Sequence, residues 1–243
     1  MAVRRKTLGG SSGLSSLLNA TYDGRDNTTD NTEGNVLNAM SYNFTKLGSY
    51  IVALAVTEFD IAIPTVLDDC ALSMSNATVT HLYTTNNLEG DRFEVFHAYF
   101  YVSVTSTGSR TLTFTMPSDF LGTATAAASV WKLNREPTFV GSDEDNTTSE
   151  FAPANITLSA QPSSAVGDTI LAIYCNKGDN VDHYRNGAAD IVVTSANVTV
   201  SCVTNAANTN LTFTNITERQ DFQPKLTTAN TTRCAGFSAI SLR

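Results

Sequence analysis

The run Gly48-Ser-Tyr-Ile-Val-Ala-Leu-Ala-Val56 carries no charge, and after Ser49 its only polar group is the Tyr50 hydroxyl. A strand with one wet face alternates apolar and polar residues, whereas a strand covered on both faces is apolar throughout. The leading Gly and the shortness of the run favour a strand over a buried helix. Tyr50–Val56 therefore reads as a central strand with protein on either side. Downstream, Arg92–Thr105 places Phe96, Ala98, Phe100, Val102 and Val104 on one face. Its other face holds Phe93, Val95, His97, Tyr99 and Tyr101. A turn at Gly108-Ser109 leads into Thr111–Met116, where Leu112, Phe114 and Met116 alternate with threonines, so one face is buried and one wet. Thr123–Leu133 adds a strand of small residues with Trp131 near its end. No long window keeps a 3.6-residue period.

These runs, separated by Gly, Asn, Asp and Pro turns, predict an all-β fold: a single large antiparallel β-sandwich, jelly-roll-like, with an extended N-terminal arm. The length of 243 residues suits one such domain. Charged residues are only 16% of the chain, and Thr, Asn and Ser fill the polar quota, which again favours strands and turns. The compositional break falls near residue 35. Residues 1–35 read as a docking arm and 36–243 as the sandwich. Within the arm, Gly9–Gly13 is Gly/Ser linker and Thr21–Gly34 is polar, leaving Leu14, Leu17 and Leu18 as the residues able to dock on a partner.

The second half resumes with Ile156–Ser159, Asp168–Cys175, Ile191–Thr194, Asn197–Val203, Asn210–Thr214 and Arg233–Leu242, after a polar stretch, 134–153, read as a surface loop. The halves resemble one another. Gly48-Ser-Tyr-Ile-Val-Ala-Leu matches Gly167-Asp-Thr-Ile-Leu-Ala-Ile, and Thr123–Trp131 matches Thr232–Ile240 in texture. Each half opens on an apolar strand and closes on a small-residue strand, as two contributions to one double sheet would.

This order of elements resembles a β-sandwich module of bacteriophage virion structural proteins and of some bacterial surface proteins. The resemblance rests on the Gly-led strand Gly48–Val56, the aromatic strand Phe93–Val104, the turn Gly108-Ser109, the threonine-alternating strand Arg110–Thr115, the Ala-rich strand Ala124–Leu133 and the second opening at Gly167–Leu171. It covers residues 45–243 and leaves the arm outside. It implies a virion subunit assembled in the host cytoplasm, tail- or fibre-associated in preference to capsid decoration, with other virion proteins as partners. It brings no catalytic residue.

Each motif that could carry chemistry has a plainer reading. Gly9-Gly10-Ser11-Ser12-Gly13 matches a nucleophile elbow in letters only, since the elbow needs a strand before it and a helix after it. Of the three histidines, His81 and His97 fall in strand-like runs and His183 in a turn beside Asp182. Asp182 and His183 are sequence neighbours with no further ligand at metal spacing. The acidic stretches Asp23–Gly34 and Asp143–Asp145 do not fit a calcium loop, and Asp68-Asp69 reads as a turn. Cys70, Cys175, Cys202 and Cys234 show no CxxC spacing and read as buried thiols, with a disulfide between strands as the alternative. The expectation is a non-enzyme with no cofactor.

A net charge of −8 argues against nucleic acid, and no run approaches the roughly twenty apolar residues of a membrane span. Met1–Lys6 is not followed by the apolar core of a signal peptide, so the Asn-X-Thr sequons reflect composition. A homo-oligomer is expected. The aromatic face with Phe93, His97, Tyr99 and Tyr101 is the candidate interface if it looks outward. The same face would suit stacking on a host glycan, which keeps a carbohydrate-binding module as the rival from another class.

Overall fold

The computed structural model describes residues 17–27, 32–33, 36–59, 70–85, 93–116, 123–148, 157–160, 162–164, 168–178, 182–186, 191–193, 198–199, 202–204, 211–214 and 232–243. Among them there is no helix, so none is long and apolar enough to cross a membrane. The first half supplies β1 (Ala20–Asn27), β2 (Thr32–Glu33), β3 (Val36–Phe44), β4 (Gly48–Phe59), β5 (Ala71–Ser73), β6 (Ala77–Thr84), β7 (Phe93–Val104), β8 (Gly108–Thr115) and β9 (Thr123–Leu133). The second supplies β10 (Phe139–Thr148), β11 (Thr157–Ala160), β12 (Thr169–Gly178), β13 (Asp182–Asn186), β14 (Ile191–Val193), β15 (Val198–Thr199), β16 (Cys202–Thr204), β17 (Leu211–Thr214) and β18 (Thr232–Leu242). The fold is all-β, with every described pairing antiparallel.

The described strands form four sheets. The first large sheet runs β1-β9-β4-β7-β6, with β2 also on β9. The second runs β10-β18-β12-β16-β15, with β13 also on β12. Each half adds a three-stranded sheet, β3-β8-β5 in the first and β11-β17-β14 in the second. The two halves share one plan: the first strand lies beside the last, and the last beside the Gly-led apolar strand. The textual matches noted above fall on β4 and β12, and on β9 and β18, which hold corresponding places in their sheets. Side-chain facing is kept on β9 and β18, where Trp131 and the matching Ile240 both lie between the large sheets, but not on β4 and β12. Aligned by sequence, Leu171 replaces Val52, yet Val52 packs toward the small sheet of its own half and Leu171 toward the other half. A one-residue slip reverses every facing on a strand.

The layering explains why Tyr50–Val56 is apolar throughout. Tyr50, Val52, Leu54 and Val56 pack with Phe96, Phe100 and Val102 of β7 against Met40, Phe44, Leu112 and Phe114 of the small sheet. The alternate residues Ile51, Ala53 and Ala55 pack with Tyr99 and Trp131 against Leu171, Ile173, Ile240 and Leu242 of the second large sheet. One large sheet is thus covered on both faces. Leu112, Phe114 and Met116 are buried as their alternation indicates, while Thr111 is exposed.

Four readings of local structure change. Residues 139–148, expected within a surface loop, form β10 paired along β18. Its polar residues are tolerated because β10 ends the described strand order of its sheet and leaves Ser142–Asp145 only partly covered. His183, expected in a turn, lies in β13. The acidic stretch beginning at Asp23, expected in a loop, is largely β1 and β2 along β9. Residues 17–27, expected in a free arm, therefore belong to the body: Leu18 and Ala20 are buried in the core between the two large sheets. An edge strand needs only one apolar face, and this short stretch supplies it. Leu14, the linker Gly9–Gly13 and Asp68-Asp69 lie outside the described residues.

Candidate functional site

The face of β7 that carries His97, Tyr99 and Tyr101 looks inward, onto the second large sheet. His97 and Tyr99 are fully buried and Tyr101 is half-buried, so the candidate interface is an internal seam between the halves. The side chain of Phe93 is outside the described residues. The reason is topological: β7 lies between β4 and β6 in its sheet, with one face on the small sheet and the other on β12 and β18.

At the centre of the seam sits a small polar group. His97 Nδ1 lies 2.6 Å from the Ser238 hydroxyl of β18. The Tyr99 hydroxyl lies 2.8 Å from the same oxygen and donates to the Ser238 carbonyl at 3.1 Å. Around it, the Thr85 N–H donates to the His97 carbonyl at 2.9 Å, and the His97 N–H donates to the Thr85 hydroxyl at 2.9 Å. Tyr83 stacks on Tyr99, with ring centroids 6.3 Å apart, and donates to Glu144 of β10. Burial, then the bond to Glu144, pushes the Tyr83 phenol up. Burial alone pushes His97 down to about 3, so its imidazole stays neutral at ordinary pH.

A serine hydroxyl beside an imidazole is the geometry of a nucleophile and its base. Here both residues are fully buried, and the serine oxygen is also engaged by a phenol. The arrangement pins one half to the other: a buried polar group costs free energy unless bonded, so these side chains hold the two sheets in one relative position. Ser238 and Thr85 were not anticipated. The available signal for Ser238 was a hydroxyl inside the apolar strand Ala235–Ile240.

A second junction ties Leu17–Asn19 and Arg243 to the residues around the start of β12 and the end of β9. Asp168 is buried and takes a two-pronged bond from Arg243, Nε to Oδ1 at 2.7 Å and Nη2 to Oδ2 at 3.0 Å. The Thr169 hydroxyl donates to the Leu18 carbonyl at 2.8 Å, and Asn134 bonds to both Leu17 and Asn19. Leu18 is buried and Leu17 is 58% exposed. The two leucines paired in the arm reading therefore part company.

His81 lies in β6, bonds to Thr84 and rests near Phe100. Asp182 and His183 enter β13, opposite Lys177 and Asn176. Asp143 and Asp145 lie on β10. Among the described residues no group of three or more His, Cys, Asp or Glu is placed to hold a metal. Cys70 is buried and in no disulfide.

No family model matches the chain, and no curated protein or solved structure is significantly similar to it.

Proposed function

We propose that this chain is a non-enzymatic structural subunit on the exterior of a bacteriophage particle, associated with the tail or its fibres. The observation that carries the reading is the doubled plan. Two halves with the same strand order, each wrapping its first strand beside its last in a jelly-roll-like manner, are joined through their large sheets. Jelly-roll sheets serve as building units of viral shells and of lectin domains. The seam supports a mechanical role, since its polar groups bond to one another across the halves. A sugar-stacking reading through Tyr99 and Trp131 is not carried forward, because both rings are buried in that seam.

Negative-stain images of particles labelled with an antibody to this chain test the proposal. Label on the tail is expected. Label spread over the head would turn the reading to capsid decoration, and absence from purified particles would overturn it.

A further inference from the structure

The strands that end the two large sheets differ in charge. The second sheet ends in β10, which carries Asp143, Glu144 and Asp145, and in β15, which is two residues long. The first ends in β1, with Asp23, Arg25 and Asp26, and in β6. Charge and shortness are common means by which a strand at a sheet edge refuses a further partner. β6 has neither: Ala77–Thr84 reads ATVTHLYT, eight residues without Asp, Glu, Lys, Arg or Pro. Its irregularity, a bulge between His81 and Tyr83, leaves Ala77–Thr80 in regular pairing.

The register fixes which main-chain groups look outward. The Thr105 N–H donates to the Asn76 carbonyl at 3.0 Å, just before Ala77 pairs with Val104. Along an antiparallel pair, residues that bond across alternate with residues that do not. Thr78 and Thr80 therefore bond to Ser103 and Tyr101 of β7, while Ala77 and Val79 aim their N–H and C=O away from the sheet. Among the described residues no strand pairs with that outer side. The Thr78 and Thr80 side chains are exposed, and those of Ala77 and Val79 pack on the first core.

We propose that β6 is a two-fold contact between copies of this chain, its outer edge pairing antiparallel with the same edge of a second copy. Centred on Thr78, the pairing sets Ala77 of one copy opposite Val79 of the other and satisfies the outward N–H and C=O of both. Thr78 then meets its own copy across the axis, a favourable cross-strand pair. A two-fold contact sets a strand against itself. The carboxylates of β10 would meet carboxylates in this way, whereas β6 carries no charge to repel its copy. The inference names the surface for the assembling subunit proposed above and rests on that reading.

Sedimentation velocity on the purified full chain at about 0.15 M salt tests it, with Thr78→Lys and Thr78→Glu as variants. The Thr78 side chain is exposed, so both should fold, with unchanged melting as the check. A pairing this short makes a weak contact, so wild-type dimer is expected at about 0.1–1 mM protein. Each variant alone sets like charges across the axis and should need about fivefold more protein to dimerise. An equimolar mixture of the two should dimerise at least as readily as wild type, because an ammonium then meets a carboxylate. A wild type that stays monomeric overturns the inference, as does a dimer that neither variant weakens or that the mixture does not restore. A monomer that still labels the particle leaves the structural reading standing and removes only this contact; a dimerising chain absent from particles does the reverse.

Discussion

An imidazole buried between two sheets links folding to protonation. The unfolded chain binds the proton at the ordinary value of 6.5, whereas the folded chain holds His97 neutral until about pH 3. Below 6.5 the unfolded state therefore binds more protons, and stability falls as pH falls, by up to about 1.4 kcal/mol per unit. Above 6.5 the effect is absent. Urea unfolding between pH 6.5 and 5 should show wild type losing about 2 kcal/mol that His97→Gln does not lose. Equal slopes would show that His97 does not govern this window. Gly24 makes a second residue-scale case. Its φ is +149°, and an added Cβ would stand 2.9 Å from the Tyr42 hydroxyl. Gly24→Ala should cost roughly 1–3 kcal/mol in thermal or urea unfolding. Adding Tyr42→Phe should recover only part, because it relieves the contact and leaves the dihedral.

At the scale of elements, the N-terminal segment separates residues that composition had grouped. Leu18 fills the seam beneath β12, so Leu18→Ala should cost about 2–5 kcal/mol. Leu17 is exposed, and Leu17→Ala should change stability by no more than about 0.5 kcal/mol. Deleting residues 1–16 should leave the melting temperature nearly unchanged, whereas deleting 1–27 removes β1 and should lower it markedly. Equal melting of both truncations would mean that β1 contributes nothing to the body. The strands of the first half were legible because their facing is written in the period: Phe96–Val104 and Leu112–Met116 alternate as the sheets require. β1 and β10 were not legible. An edge strand is held by main-chain bonds to a neighbour far along the chain, and polar side chains do not prevent that pairing. Ala127–Leu133 for β1 and Cys234–Leu242 for β10 are those distant neighbours.

At the scale of the whole molecule, the halves should melt as one. They share an apolar seam that includes Ile51, Tyr99, Trp131, Leu171, Ile240 and Leu242. Trp131 is the chain's single tryptophan and lies in the seam, fully buried. Its fluorescence should be blue-shifted in the native state and move to the red on unfolding. The midpoint should coincide with that of a β-dominated far-UV circular dichroism signal. Two separated transitions would show that the halves fold independently.

The all-β class, the central strand, the inward alternation on β7 and β8 and the likeness of the two halves are all legible in the order of residues. These follow from local rules, the two-residue period of a strand and the torsions that Gly allows. What covers each apolar face emerges from the packing of the sheets alone. The aromatic face of β7 suited either a partner or the chain's own second half. The answer depended on Ser238, 141 residues beyond His97. Which sheets stack is set by the joint packing of distant strands, and no local pattern records it.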